Sequence, residues 1–295
     1  MDSALAALIG LVLSILLIIR KVSPVYSLIL GAVTGGLLAG WGLETTVAEM
    51  IAGVKDITPA IVRIIAAGVL TGMLVKTGAA SRIAHSIINA LGQRFIFLAL
   101  ALSAMILTAM GVFIDVAVIT IAPIAIISGC KLNLSRTKLL IALIGGGKCG
   151  NIISPNPNTI IAAENFGAPL SSVMLANVAA AVIGLFVTVY LIVPLLARRM
   201  KSDVTVARAM QNVEEQSLPS FGASIAGPVV VMALLMLRPV AGVAIDPLIA
   251  LPAGGVVGII ATRSWTRAAE SLGYGLEKMS VVAVLLVSTG AIAGI

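Results

Sequence analysis

The sequence is poor in the residues from which soluble enzymes build their chemistry. It holds one histidine, His85, and two cysteines, Cys130 and Cys149. A lone imidazole excludes a histidine-built metal site, and the two cysteines stand at no ligand or redox spacing, so no metal, cofactor or disulfide chemistry is implied. Charge is scarce as well: 11% of the 295 residues are charged against 60% hydrophobic, and the mean hydropathy is +1.16. That balance excludes an ordinary soluble domain. The N-terminus Met1-Asp-Ser-Ala-Leu5 lacks a basic run, and Arg20 and Lys21 follow its apolar segment, the reverse of a signal peptide. The charge that is present leans basic, with 19 Lys and Arg against 12 Asp and Glu. These cations sit in short stretches between apolar runs, as topology selection produces, and no nucleic-acid partner is expected.

The apolar runs predict an all-α polytopic protein of the inner (plasma) membrane, with its N-terminus outside. Spans fall at about 4–19, 23–40 and 58–75, with the stretch Trp41–Asp56 as an acidic loop, and Lys76, Arg82, His85 and Arg94 then reach the cytoplasm. Segment 95–129 has Arg94 on one flank and Lys131, Arg136 and Lys138 on the other, so it enters and leaves on one face. Two full spans need about 20 residues each, so the segment is either two short helices or a re-entrant hairpin with Gly111-Val-Phe-Ile-Asp115 at its tip. Residues 139–166 read as a crossing helix broken at its centre, and 172–197 return inward. A mixed-charge cytoplasmic linker with Arg208, Glu214 and Glu215 fills 198–221. Beyond it lie spans near 222–238 and 247–262, an amphipathic 262–278 and a last span from about Met279.

The break is Gly145-Gly-Gly-Lys-Cys-Gly-Asn-Ile-Ile-Ser-Pro-Asn-Pro-Asn-Thr159, a helix-breaking polar run inside apolar sequence. Backbone cannot give up helical hydrogen bonds at membrane depth unless protein, water or a ligand replaces them, so the run should line a cavity. The blander alternative is a solvent loop between two short spans, which the absence of Asp and Glu and the immediate return of Ile160-Ile-Ala-Ala argue against. It lacks the spacing and preceding strand of a phosphate-binding loop. As a substrate site it offers Asn151, Ser154, Asn156, Asn158 and Thr159 as uncharged hydrogen-bonding groups. A half-helix starting near Thr159 would add a positive dipole end for a carboxylate. Lys148 either pairs the substrate anion or snorkels to the interface. Asp115, a lone carboxylate at the hairpin tip, is the candidate for proton coupling; its structural alternative is a partner to Lys148 or Arg63. Glu164, Arg63 and Arg238 read as groups at span ends.

The halves echo one another. Ala48-Glu-Met-Ile leading to Gly68-Val-Leu-Thr-Gly72 returns as Ala269-Glu-Ser-Leu leading to Gly290-Ala-Ile-Ala-Gly294, an offset of about 222 residues. One copy starts outside and the other inside, which predicts an inverted-topology repeat, the build common in secondary transporters. The organisation expected is a first transmembrane repeat at 1–197 with hairpin and broken helix, the linker at 198–221, and an incomplete second repeat at 222–295. The offset puts a completed second repeat near residue 420, roughly.

Pro219-Ser-Phe-Gly222 after Glu214-Glu215, then Pro228-Val-Val-Val-Met, together with Ile152-Ile-Ser-Pro-Asn-Pro-Asn-Thr159 and the placement of Asp115, resembles the gluconate permease (GntP) family. The resemblance runs through the whole chain. It implies proton-coupled import of gluconate, glycerate or a related sugar or hydroxy acid within a wider group of ion transporters. Its gluconate branch carries a Pro-His-Pro-Gly-Pro-Thr type run. Here Pro155-Asn156-Pro157-Asn158-Thr159 lacks the histidine and is one residue shorter, a change that bears on gluconate specificity more than on membership. The expected activity is secondary active transport, with no enzymatic chemistry; the partners are a small organic acid, protons and the bilayer, and a homo-oligomer is compatible with the sequence. The alternatives are a cation/proton antiporter in which Asp115 binds Na⁺ or H⁺, and a truncated permease that transports nothing.

Overall fold

The computed structural model describes residues 3–132, 134–199 and 218–295; Arg208, Glu214 and Glu215 of the expected linker lie outside them. Among the described residues there are fourteen α-helices and no strands. The first eight are α1 Ser3–Ile19, α2 Pro24–Leu38, α3 Leu43–Lys76, α4 Ala79–Leu91, α5 Ile96–Ala109, α6 Ile114–Lys131, α7 Arg136–Asn151 and α8 Pro157–Asn165. Then come α9 Leu170–Ala176, α10 Val178–Val187, α11 Val193–Arg199, α12 Phe221–Ala241, α13 Pro247–Ala261 and α14 Ala268–Ala293. A π turn at Thr188–Ile192 joins α10 to α11. Among the described residues four stretches are long and apolar enough to cross a membrane: Leu43–Lys76, Leu170–Leu196, Phe221–Ala241 and Trp265–Ala293. A fifth comes from the bent pair Ala79–Leu91 and Gln93–Ala109, which turns through 106°. The protein is a multi-pass membrane protein.

Local sequence accounts for the element ends. Pro24 and Pro247 occupy first-turn positions of α2 and α13, where a missing N–H costs nothing, and the Asp246 carboxylate accepts from Leu248 N at 2.8 Å. Gly92 and Gly242, with φ of 71° each, close α4 and α12 in a conformation that L side chains resist.

The chain divides into two compact units, one of Met1–Ile65 and Glu277–Ile295, the other of Ala66–Leu276. In the first, α1 and α2 pack backbone to backbone, since a Cβ on Gly10 would overlap the Gly31 carbonyl. The buried Ser14 hydroxyl donates to Ser27 O at 2.9 Å. The early part of α3 meets the late part of α14 antiparallel, with Gly53 against Gly290 and Gly294 against the Glu49 carbonyl.

The second unit holds the main core, with Leu70, Met73, Leu74, Ile83, Leu100, Leu107, Ile121 and Leu143 all nearly fully buried. Gly227 on α12 packs on Gly254 of α13. Gly68 and Gly72 on α3 pack on Gly275 and Ser271 of α14. Van der Waals contact is the chief attraction between helices where the solvent is itself apolar, and small residues maximise it by letting backbones approach.

Three sequence expectations are corrected. The stretch Trp41–Asp56 is no loop: from Leu43 it is the start of α3, with Glu44 in the first turn and Lys76 in the last, placed to suit the helix dipole. Residues 268–278 and the span from Met279 form one continuous helix, Ala268–Ala293, with no break between the amphipathic and the apolar part. Gly145–Asn151 is helical rather than broken, because its glycines serve packing.

Candidate functional site

Two of the interruptions of helix in the second unit lie against each other. The first, Met110–Phe113, separates α5 from α6 and turns at Gly111, whose φ of 96° is open to glycine. The second, Ile152–Asn156, separates α7 from α8. A Cβ on Gly111 would stand 4.0 Å from Cγ of Pro155 and 3.9 Å from Cδ2 of Leu70 on α3.

The glycines of α7 make this approach sterically feasible. A Cβ on Gly146 would overlap the Ala101 carbonyl of α5, and one on Gly150 would overlap the Met105 carbonyl and the Thr108 hydroxyl. Spaced four residues apart, the two present a bare backbone strip to α5. Gly147 faces the Ile114 side chain of α6, at 2.7 Å from a built Cβ, and Gly145 faces Thr188 on the π turn. The buried Thr108 hydroxyl donates to Gly147 O at 2.9 Å, tying α5 to α7 beside the break.

The break itself is knitted by its own side chains. Asn156, only 4% exposed, caps α8: its Oδ1 accepts from Asn158 N at 2.8 Å and Thr159 N at 3.3 Å. Its Nδ2 donates to Ser154 Oγ at 2.6 Å and to Asn151 O. The Thr159 hydroxyl accepts from Asn156 N at 3.2 Å and donates to Ser154 O, and Ser154 Oγ donates to Asn151 O at 3.1 Å. A side-chain amide has two donor hydrogens and two acceptor lone pairs, and all four of Asn156 are engaged. The ring of bonds satisfies the backbone groups that the break exposes, which a bilayer would otherwise penalise.

The six sequence-predicted binding residues therefore fall into two sets. Ser154, Asn156 and Thr159 are buried and committed to the break. Lys148 and Asn158 are exposed and Asn151 is half-buried, and none of their side chains makes a hydrogen bond or ion pair among the described residues. Asp115 stands in the first turn of α6, exposed, directly after the Ile114 that packs on Gly147. No side chain among the described residues caps the Ile114, Asp115 or Val116 amides; the first bond of that end is Ala117 N to Phe113 O at 2.8 Å. Thus α6 points free amides and the positive end of its dipole at the junction of the breaks, while the N–H groups at the start of α8 are occupied. Among the described residues no group of three or more His, Cys, Asp or Glu side chains is arranged to hold a metal ion.

Two residues of this region were not singled out by sequence reasoning, Thr71 and Thr108. Both are fully buried hydroxyls that donate to carbonyls of other segments, Thr71 to Gly111 O at 3.1 Å. Their only sequence signal is a hydroxyl beside small residues in an otherwise apolar helix, which simple helix packing produces just as often.

Comparison with known proteins places the chain. The family model of the GntP family permeases matches residues 3–261. An uncharacterized transporter of Haemophilus influenzae is 47% identical over 295 residues, covering 99% of this chain and 69% of that protein. A gluconate permease of Pseudomonas aeruginosa is 29% identical over 82% of this chain and 54% of its own length. The D-serine transporter DsdX of Escherichia coli K12 is 24% identical over 79% and 53%. The chain thus spans about half the length of these last two relatives.

Proposed function

Since the chain belongs to the GntP family of permeases, we propose that it carries the first substrate half-site of a secondary active transporter that takes up a small hydroxylated organic acid with protons. The observation that carries this reading is the abutment of Gly111 and Pro155, which brings two unwound segments and one uncapped helix end to a single place. Unwound backbone at membrane depth is tolerated where it lines a cavity, and discontinuous helices meeting midway are how many transporters hold substrate.

In this reading the carboxylate of the substrate faces the Ile114–Val116 amides and the Lys148 ammonium, and its hydroxyls face the open amides of Asn151 and Asn158. Hydroxyls stripped of water need such partners, and amides supply them without the cost of burying a charge. Asp115, at the same helix end, takes up the coupled proton. A carboxylate held beside a bound anion is repelled by it, so proton and acid favour each other's binding, which is the thermodynamic content of symport. Ser154, Asn156 and Thr159 hold the frame. The gluconate and D-serine relatives transport molecules that share a carboxylate and a hydroxyl, and those two groups are the ones the open residues suit.

The repeated glycine contacts support an inverted repeat. Under the offset of about 222, the Gly53–Gly290 and Glu49–Gly294 contacts of one unit become the Gly275–Gly68 and Ser271–Gly72 contacts of the other.

The test is flux in proteoliposomes with an inward proton gradient and labelled gluconate, glycerate and serine supplied separately. Accumulation of one acid that collapses with a protonophore supports the reading. Sodium-driven proton movement without solute uptake would replace it with the cation antiporter, in which Asp115 binds the ion. Absence of both fluxes and of acid binding would leave the site without a function of this kind.

A further inference from the structure

We infer that Thr71 is a positioning residue that fixes the α5–α6 tip, and through it the free N-terminal turn of α6, in the geometry that receives the substrate acid. The inference rests on the site proposed above but concerns a residue outside it. Helical Ser and Thr hydroxyls ordinarily bond back to the carbonyl four residues earlier, and in this protein Thr77, Ser86, Ser103, Thr120 and Thr262 all do so. Thr71 does not. Its hydroxyl, with the residue fully buried, reaches across to Gly111 O at 3.1 Å.

Both ends of this bond are constrained. Gly111 at φ 96° has left the helix, so its carbonyl has no helical partner, and the residue is buried. A buried carbonyl without a donor carries the full cost of its desolvation, so the Thr71 hydroxyl is what permits the tip to sit in this position. On the other side Thr71 cannot drift. The next residue, Gly72, has no room for a Cβ beside the Ser271 carbonyl of α14. One turn on, Lys76 Nζ meets Glu270 Oε1 at 2.8 Å and lies 5.0 Å from the Tyr274 ring centroid, while Arg267 donates to Lys76 O at 3.4 Å. The hydroxyl is therefore presented from a stretch of α3 locked to α14 and received by a carbonyl that the turn leaves without a backbone donor among the described residues. Three residues beyond that carbonyl come the open amides of Ile114 and Asp115.

The experiment uses the full chain with Cys130 and Cys149 replaced by alanine and Val112→Cys introduced as a reporter, since Val112 at the tip is 1% exposed. Thr71→Val, which keeps the shape and removes the donor, should raise the labelling rate at that thiol about fivefold, the effect of roughly one lost hydrogen bond on local opening. Thr71→Ser should restore the parental rate, which a role in packing alone would not allow. Equilibrium binding of labelled gluconate, glycerate and serine should show one acid held about fivefold more weakly by Thr71→Val and normally by Thr71→Ser. If Thr71→Val fails to insert, Thr71→Ala takes its place in both assays. Labelling unchanged by removal of the hydroxyl would overturn the proposal. A parental protein that binds none of the acids would instead refute the substrate reading, while the labelling arm still decides whether Thr71 holds the tip.

Discussion

Asn156→Ala is the perturbation that best separates frame from ligand in this region. The substitution removes four bonds at once: two accepted from the Asn158 and Thr159 amides and two donated to Ser154 Oγ and Asn151 O. Loss of the helix cap alone costs about 1 kcal/mol. The cap bonds are those from the two α8 amides, so the further loss is that of the two donated bonds; the Asn151 carbonyl keeps the Ser154 hydroxyl as a donor, and this second part comes to about 1–2 kcal/mol. A total of roughly 2–3 kcal/mol is a large share of a typical folding stability and corresponds to a midpoint lowered on the order of 5 °C. The assay is thermal unfolding of the purified protein in one detergent, run beside acid binding at a temperature well below the transition. Asn156→Asp keeps the two accepted bonds and loses the two donated ones, so it should fall between parent and alanine. The reasoning is refuted by an Asn156→Ala protein that unfolds at the parental temperature yet binds its acid more weakly. That result would make the side chain a substrate ligand, as the sequence by itself suggests.

The other predictions follow from single contacts. Asp115→Asn should abolish proton-driven accumulation of acid in proteoliposomes while sparing downhill exchange, because an amide cannot carry the coupled proton; unchanged accumulation removes Asp115 from the mechanism. Gly150→Ala places a methyl against the Met105 carbonyl and the Thr108 hydroxyl and should lower stability by about 1–3 kcal/mol, measurable as reduced detergent resistance, whereas Gly167→Ala, with open space around it, should cost mainly the strain of its φ of 59°. Glu270→Gln should leave the thermal unfolding midpoint close to the parental one, since Lys76 and Glu270 side chains are 31% and 57% exposed and solvent screens the pair. Cysteines replacing Arg94 and Arg136 should be labelled from the same side of the membrane, and labelling from opposite sides would remove the hairpin.

Much of the helical layout was legible because membrane spans are written in composition. Apolar runs predicted the positions of helices α1, α2, α12 and α13 closely, although of these only α12 is long enough to be a candidate span, and Gly111 and the prolines Pro155 and Pro157 marked the two interruptions. The misjudged extent of the break has a physical cause. Glycine weakens an isolated helix, so the run Gly145, Gly146 and Gly147 read as broken; packed against α5, α6 and the π turn, the same glycines are what permit helix contact. Asn, Ser and Thr in a break carry no local sign of whether they bond to one another or stay open. Only the folded chain reveals that Asn156, Thr159 and Ser154 are bonded to one another, whereas the side chains of Lys148, Asn151 and Asn158 are not. Thr71 was hidden for a deeper reason: its acceptor is 40 residues away in sequence, and nothing local distinguishes a hydroxyl that bonds to its own helix from one that bonds across.

The division of labour within the break bears on how such a site works. A substrate pocket at membrane depth must present open polar groups when empty, yet each open group destabilises the structure that carries it. In the reading proposed above, this chain meets the conflict by using two kinds of residue in one short run. Those with small or rigid side chains close on themselves and satisfy the exposed backbone, so that Ser154, Asn156 and Thr159 make the interruption permanent. The side chains of Lys148, Asn151 and Asn158 are then left open, on a frame that uses only the backbone of the two asparagines. Substitutions in the first set should therefore alter folding and binding together, whereas substitutions in the second should alter binding with stability unchanged.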